Sequence, residues 1–289
     1  FIPIDRTRPV IYSPLALPRF GGNPTERLLA FRPIYARGLG RDSSHPAPRE
    51  IMNRIELPTE DLSSLHHASS TVPSQPRWTT HRGRALGGQA LTPYSTFWPI
   101  HYEENYAYPL VIWLHGAGAN EQQLRRVLPK ISMRNYVAIA PRGTEVHPRC
   151  SGAFGWQQTD AGIEEAESRV FDCLSIATGR FNVHLQRIFL AGVGCGGTMA
   201  MRLAWSHPQQ FAGAASFDGP LPARNRPLRN VNNLRRLPCF LATGRTSRGY
   251  PEAEVCRDLR LLHAAGCTVA LRRYPCGNDL TTAMLAELN

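Results

Sequence analysis

The sequence predicts an α/β fold: a mostly parallel sheet with helices on both faces, preceded by an irregular N-terminal extension. Three observations carry this. Beyond residue 94, short continuous apolar runs of strand length recur, bounded by proline or glycine. Between them lie segments whose apolar residues fall at helical spacing. One junction, Ile188-Phe189-Leu190-Ala191 into Gly192-Val193-Gly194-Cys195-Gly196-Gly197 and on to Thr198–Trp205, reads as strand, tight glycine turn and helix. Strands that are apolar on both sides belong to parallel sheets covered on both faces.

The extension spans residues 1–93. Pro3, Pro9, Pro14, Pro18, Pro24, Pro33, Pro46 and Pro48 interrupt any long helix. Residues 37–49 read as a polar linker, Ile51–Leu57 as one strand, Glu60–Leu65 as one helical turn and Ser69–Arg84 as loop. Isolated anchors such as Ile11, Tyr12, Phe31 and Trp78 are more than a purely solvating tail needs. Residues 1–100 hold twelve arginines against seven acidic residues. The extension is therefore expected to wrap the neighbouring domain, a second copy or another protein. RNA or a ribonucleoprotein is the second class of partner, on charge alone.

The second domain spans residues 94–289. Tyr108–Leu114 is its first expected strand. Asn120 caps a helix over Glu121–Leu128. Tyr136–Ala140 is the second strand, and Ile163–Arg180 is helical, with Ile163, Ala166, Val170, Cys173, Leu174 and Ala177 on one face. Ile188–Ala191 is the third strand, before the glycine turn and its helix. Phe211–Phe217 and Pro238–Gly244 follow as strands, then a helix over Glu252–Ala265 closed by Gly266. Thr268–Tyr274 is the sixth strand and Leu280–Leu288 the closing helix. Ligands in such sheets bind beyond the carboxyl ends of the strands.

Composition narrows the function classes. The formal charge is +11, and Lys130 is the only lysine. This reads first as an arginine-rich solvated surface and second as a surface for anionic partners. No run reaches the roughly 18–20 apolar residues of a membrane helix, so no transmembrane segment is expected. The seven cysteines are odd in number and lack CxxC spacing. That argues against a disulfide framework or zinc site and fits a cytoplasmic chain. The glycine turn lacks the Gly-Lys-Ser/Thr ending of a phosphate loop and the dinucleotide spacing. No cofactor or metal is expected.

Several phrases together resemble the phospholipase/carboxylesterase family, which includes acyl-protein thioesterases and has the α/β-hydrolase fold. They are Leu114-His115-Gly116-Ala117-Gly118-Ala119-Asn120, Ala140-Pro141-Arg142-Gly143 with the later Trp156, and the run Phe181–Leu190. Gly196-Gly197-Thr198-Met199-Ala200 and Asp218-Gly219-Pro220-Leu221-Pro222 follow in the family's order. The resemblance implies a nucleophile in a Gly-x-Ser-x-Gly turn, and that place is held by Gly194. It implies an acid three residues beyond Gly244 and four before Pro251, at Ser247. It implies a histidine after Tyr274-Pro275-Cys276-Gly277, at Asn278. It also places two oxyanion-binding donors on the amides of Ala117 and Cys195, and a loop role on Asp218.

Glycine has no attacking atom, asparagine cannot take a proton, and serine supplies no buried charge to steady an imidazolium. The expected function is thus a catalytically inactive, esterase-like protein, a binding or structural subunit of a larger assembly. The alternative is an active carboxylesterase or thioesterase with a displaced nucleophile, Cys195, and Asp279 as substitute base. Amides at the helix start are expected to lower the Cys195 thiol pKa.

Overall fold

The structure is a computed structural model and describes residues 11–12, 77–81, 92–146, 152–223 and 231–289. The strand expected over Ile51–Leu57, the helical turn over Glu60–Leu65 and the linker over 37–49 lie outside the described residues. The strands are β1 (Ile11–Tyr12), β2 (Arg77–His81), β3 (Tyr94–Trp98), β4 (Tyr108–Leu114), β5 (Val137–Pro141), β6 (Thr144–Glu145), β7 (Phe154–Gly155), β8 (Val183–Val193), β9 (Gly213–Phe217), β10 (Cys239–Gly244) and β11 (Val269–Tyr274). The helices are α1 (Leu124–Ile131), α2 (Asp160–Arg180), α3 (Cys195–Ser206), α4 (Val231–Leu234), α5 (Glu252–Ala265) and α6 (Thr282–Ala286).

Nine strands form one sheet in the order β1-β11-β10-β9-β8-β4-β5-β3-β2. The six from β11 to β5 run parallel, and β1, β3 and β2 add antiparallel edges. β6 and β7 make a separate antiparallel pair. Every residue of β4 is buried. Leu110, Ile112 and Leu114 pack on one face, with α2, α3 and α5, through Val170, Ala177, Leu203 and Leu262. Val111 and Trp113 pack on the other face, with α1 and α6, through Leu124, Leu128 and Met284. Alternate residues of one strand thus feed two cores, which is why the run is continuously apolar.

The α/β-hydrolase-like architecture expected from the sequence is the one observed. Several local expectations are corrected. Residues 77–81, expected within a loop, form β2 and pair with β3. Their arginine, threonines and histidine hide the apolar signal of an edge strand. β3 itself, Tyr-Ser-Thr-Phe-Trp, was not expected as a strand; Ser95, Thr96 and Phe97 are buried between β2 and β5. The helix expected over Glu121–Leu128 is a 3₁₀ turn, Glu121–Gln123, followed by α1, which runs through Pro129 to Ile131. Burial of Val127, Leu128 and Ile131 holds that last turn despite the hydrogen bond that proline cannot make. β8 starts at Val183, five residues early. Its first residues, Val183–Arg187, mix apolar and polar side chains and lie outside the buried core, and Tyr108 pairs with Val183.

Caps agree with the sequence in two places. The Asn120 side chain accepts from the Gln122 amide at 3.0 Å, and Gly266 ends α5 in a left-handed conformation. α2 starts at Asp160 because Thr159 caps it, accepting from the Gly162 amide at 3.2 Å.

Candidate functional site

The parallel strands place the ends of β4, β8, β9, β10 and β11 along one edge. The central feature is the β8–α3 junction. A Cβ on Gly196 would lie 2.3 Å from the Leu114 carbonyl oxygen, and one on Gly192 would lie 2.6 Å from Gly196 backbone. Strand and helix cross too closely for any side chain at either place. Gly194 differs. Its φ of 55° with ψ of −123° is a positive-φ backbone state that side chains rarely adopt, but a Cβ there would meet nothing within 4 Å. The position that carries the nucleophile in Gly-x-Ser-x-Gly opens onto free space.

The Gly194 amide donates to the Phe217 carbonyl at 2.8 Å. A Cβ on Gly219 would lie 2.3 Å from the Gly194 oxygen. The turn is therefore pressed against the end of β9, beside Asp218. The Asp218 carboxylate reaches one of the other two positions, Asn278. Its Oδ2 accepts from Asn278 Nδ2 at 3.0 Å, and its Oδ1 accepts from Thr243 Oγ1 at 3.0 Å. Asn278 Nδ2 also lies 3.5 Å from Ser247 Oγ, while its Oδ1 accepts from the Arg248 amide at 3.1 Å. Ser247 Oγ accepts from the Tyr250 amide at 2.9 Å. Ser247 and Asn278 thus meet from two loops, Asp218 lies against Asn278, and Gly194 is bonded to Phe217, the residue before Asp218.

Asp218 is the functional candidate that sequence reasoning passed over as loop structure. The signal was a carboxylate at the end of a buried strand, directly before Gly219-Pro220. What the sequence could not supply was its contact with residue 278, sixty positions away.

The amides of Cys195 and Ala117 lie at the helix start and in the loop after β4. Cys195 is the first residue of α3, so its amide has no carbonyl of its own helix to bond. The exposed Ala117 lies between Gly116 and Gly118 in the loop after β4. That loop is held on several sides. The Gly118 amide donates to the Phe154 carbonyl at 2.8 Å. Gln123 Oε1 accepts from Trp113 Nε1 at 2.9 Å and from the Gly116 amide at 3.3 Å. Trp156 Nε1 donates to the His115 carbonyl at 3.0 Å.

His115 is fully buried and holds the loop from beneath. Its Nε2 accepts from the Gly143 amide at 2.8 Å, which assigns the proton to Nδ1, 2.9 Å from the Gly116 carbonyl. Burial pushes its pKa below the ordinary histidine value, with smaller lowering by Arg142 and Arg169. The Gly116 carbonyl and Glu121 oppose this. As pH falls, the unfolded chain takes up this proton first. The stabilisation is complete above about pH 6.5 and is lost as pH drops towards the folded value. The melting temperature is expected to fall between pH 7 and pH 5, and to fall less steeply in His115→Gln. Equal slopes in the two proteins would refute this role.

Beside the loop, Arg142 Nε and Nη2 donate to Glu121 Oε2 and Oε1 at 2.6 and 2.7 Å, and the Glu121 side chain is fully buried. Hydrogen bonding to Glu121 raises the Arg142 pKa. Arg169 Nη1 donates to the Arg142 carbonyl at 2.6 Å, and its other arm pairs with Glu165.

Cys195 and Asp279 do not gather into a second catalytic set. The Cys195 thiol takes a backbone hydrogen bond from Trp156 and lies beside Gly155, whose added Cβ would be 3.9 Å from the sulfur. Burial raises its pKa more than the nearby backbone hydrogen bonds lower it. The expected lowering by the helix-start amides is thus present but outweighed. Asp279 is exposed, and its carboxylate has no hydrogen-bond or ion-pair partner among the described residues. Among the described residues, no three His, Cys, Asp or Glu are grouped to share a metal. No described helix is long and apolar enough to cross a membrane. A cavity of about 500 Å³ lined by Tyr108, Tyr136 and Arg187 opens at the opposite ends of the strands and is separate from this site.

Comparison with known proteins agrees with the geometry. The Phospholipase/Carboxylesterase family pattern matches residues 99–278. NocK of Nocardia uniformis subsp. tsuyamanensis, whose name carries an esterase assignment, is 30% identical over 125 residues, 40% of this chain and 34% of NocK. The chain thus matches about a third of that relative's length. Among solved structures, a carboxylesterase from Mesorhizobium loti superposes with a TM-score of 0.57 at 19% identity, covering 71% of this chain and 96% of that one. A ferulic acid esterase from Anaeromyces mucronatus superposes with a TM-score of 0.54 at 10% identity, covering 74% and 92%. The Bacillus cereus carboxylesterase gives 0.53 at 18% identity, with the same coverage. At these identities the likeness is one of fold.

Proposed function

The chain belongs to the phospholipase/carboxylesterase family, and on that premise we propose that it is a non-hydrolysing member acting as a binding or structural subunit. One observation supports the reading: Ser247 and Asn278 lie 3.5 Å apart, Asn278 binds Asp218, and Gly194 bonds to Phe217 beside it, and none of the three residues read as acid, base and nucleophile positions has the side chain those roles need. Glycine has no nucleophilic atom and an amide side chain accepts no proton at neutral pH, so neither half of acyl transfer has an agent. The alternative nucleophile Cys195 is disfavoured by the burial that keeps its thiol protonated.

The unaltered chain is expected to hydrolyse short-chain p-nitrophenyl esters no faster than its Cys195→Ala and Asp279→Asn variants. Turnover that either substitution abolishes would overturn the reading.

The backbone donors of Ala117 and Cys195 survive the loss of side-chain chemistry. They suit a carbonyl or carboxylate oxygen. Butyrate is expected to shift the NMR resonances of both amides together at millimolar concentration; unmoved amides would remove this ligand class.

Residues 1–93 are the proposed assembly segment, with a protein or a second copy of the chain as partner. Arginine-rich composition and scattered apolar anchors support this. The native particle is expected to be larger than a monomer and unchanged in size by nuclease. A nuclease-sensitive particle would make RNA the partner, and a monodisperse monomer would remove the assembly role.

A further inference from the structure

Asp218 has three properties that a loop residue does not need. It is the only non-glycine among the described residues with a positive φ, 54°, a backbone state that side chains rarely adopt. It is 6% exposed, and among the described residues its carboxylate faces no cation within ion-pair reach. Its oxygens are divided: Oδ1 is taken by Thr243, and Oδ2 is aimed at the side-chain nitrogen of residue 278. A buried carboxylate satisfied only by neutral donors is a costly way to hold a loop, since an asparagine or serine makes such bonds without burying charge.

That arrangement has the geometry of a triad acid. One oxygen is held by a hydroxyl, and the other sits 3.0 Å from the place where an imidazole Nδ1–H would stand. In the family the acid follows the strand equivalent to β10, at the position of Ser247. Here the carboxylate comes from the end of β9 instead and meets residue 278 from the neighbouring loop. We propose that Asp218 is the acid of this site, so that Gly194→Ser and Asn278→His together complete a hydrolytic triad running through Asp218. In the unaltered chain Asp218 is a positioning residue. It turns the Asn278 amide so that Nδ2 faces inward and Oδ1 receives the Arg248 amide.

The chemistry of the completed site balances without a cofactor. The introduced hydroxyl gives its proton to the introduced imidazole as its oxygen bonds to the ester carbonyl carbon. The imidazolium, steadied by Asp218, returns that proton to the departing alkoxide as the ester C–O bond breaks. Water then repeats the sequence on the acyl-enzyme, regenerating hydroxyl and imidazole.

The proposal rests on reading positions 194 and 278 as a substituted nucleophile and base, and two measurements test it separately. The first needs no catalysis. In Asn278→His, the new imidazole is titrated by NMR in the full chain with and without Asp218→Asn. Asp279 and Cys276 lie in the same loop and Arg248 opposite, and all are unchanged in both proteins, so the difference isolates Asp218. The pKa is expected to be at least one unit higher with the carboxylate present; an equal pKa overturns the proposal. The second measurement is hydrolysis of p-nitrophenyl acetate and fluorophosphonate labelling by Gly194→Ser/Asn278→His. A rate about 100-fold or more above the unaltered chain is expected, lost about 10²–10⁴-fold on adding Asp218→Asn and rising with pH through the imidazole titration. A double variant that is folded by circular dichroism yet neither labels nor turns over also overturns it, as does one that works only after Ser247→Asp. Ester turnover by the unaltered chain would instead overturn the non-hydrolytic reading and leave the imidazole titration to decide this one.

Discussion

Replacing Glu121 by alanine is expected to lower the melting temperature by about 10 °C. The carboxylate is fully buried and bonded through both oxygens to Arg142. Its removal strands a partly buried guanidinium and empties the volume beside it. Breaking such a pair from one side costs about 3–5 kcal/mol. Each kcal/mol moves the midpoint about 2–4 °C in a domain of this size. The damage spreads because Arg142 lies over the Phe154 ring and its carbonyl receives Arg169. Phe154 in turn receives the Gly118 amide, so the loop bearing Ala117 loosens with the pair. The double variant Glu121→Ala/Arg142→Ala is expected to lose less than the sum of the two single losses, because it leaves no unpaired charge. Thermal denaturation of the three variants checks this; a Glu121→Ala shift under 2 °C would show that the pair contributes little.

The second large effect separates two glycines two residues apart. Gly196→Ala is expected to cost about 3 kcal/mol or more, because its Cβ would sit 2.3 Å from the Leu114 oxygen and 2.4 Å from that of His115. Both are backbone atoms of the central strand and its loop, and neither can yield without moving β4. Gly194→Ala is expected to cost less, about 1–3 kcal/mol, the penalty of a side chain in a sparsely populated positive-φ state, because the space around it is open. Urea denaturation midpoints compare the two directly. Equal losses would mean that position 194 is as crowded as 196 and could not carry a nucleophile. The contrast also separates two meanings of a glycine-rich turn: Gly192 and Gly196 belong to the fold, and Gly194 belongs to the chemistry.

This distinction bears on how such a site stops hydrolysing. The scaffold of the oxyanion loop remains intact: His115 braces it from beneath, Gln123 and Trp156 hold its backbone, and the Glu121–Arg142 pair fixes its flank. None of these contacts takes part in bond making. They position amides, and a binding protein needs positioned amides as much as an enzyme does. On the proposed reading, what is lost is confined to the side chains at Gly194, Ser247 and Asn278.

Most of the architecture was legible because it depends on local patterning. Tyr108–Leu114, Val137–Pro141 and Cys239–Gly244 are apolar runs of strand length, and Gly266 and Asn120 mark helix ends by their own chemistry. The edge strand β2 and its neighbour β3 escape a reading of apolar runs because they carry arginine, threonine and serine among their apolar residues. The end of α1 was misplaced because Pro129 forbids one hydrogen bond but not the burial that holds Ile131. Positions 194, 247 and 278 were legible by their place in a family's order of phrases, which is a statement about spacing along the chain.

What the sequence determined by itself is the sheet, its covering helices, the glycine turn and the absence of serine, acid and histidine from the three expected positions. Only the tertiary structure decided that Asp218 stands beside Asn278, that burial outweighs the helix start at Cys195, and that Gly194 has room while its neighbours do not. The reason is physical. Strand and helix preferences act over a few residues and are written into adjacent side chains. A carboxylate's partner, a thiol's burial and the space around a Cα are set by segments tens of residues away, which meet only when the sheet has assembled.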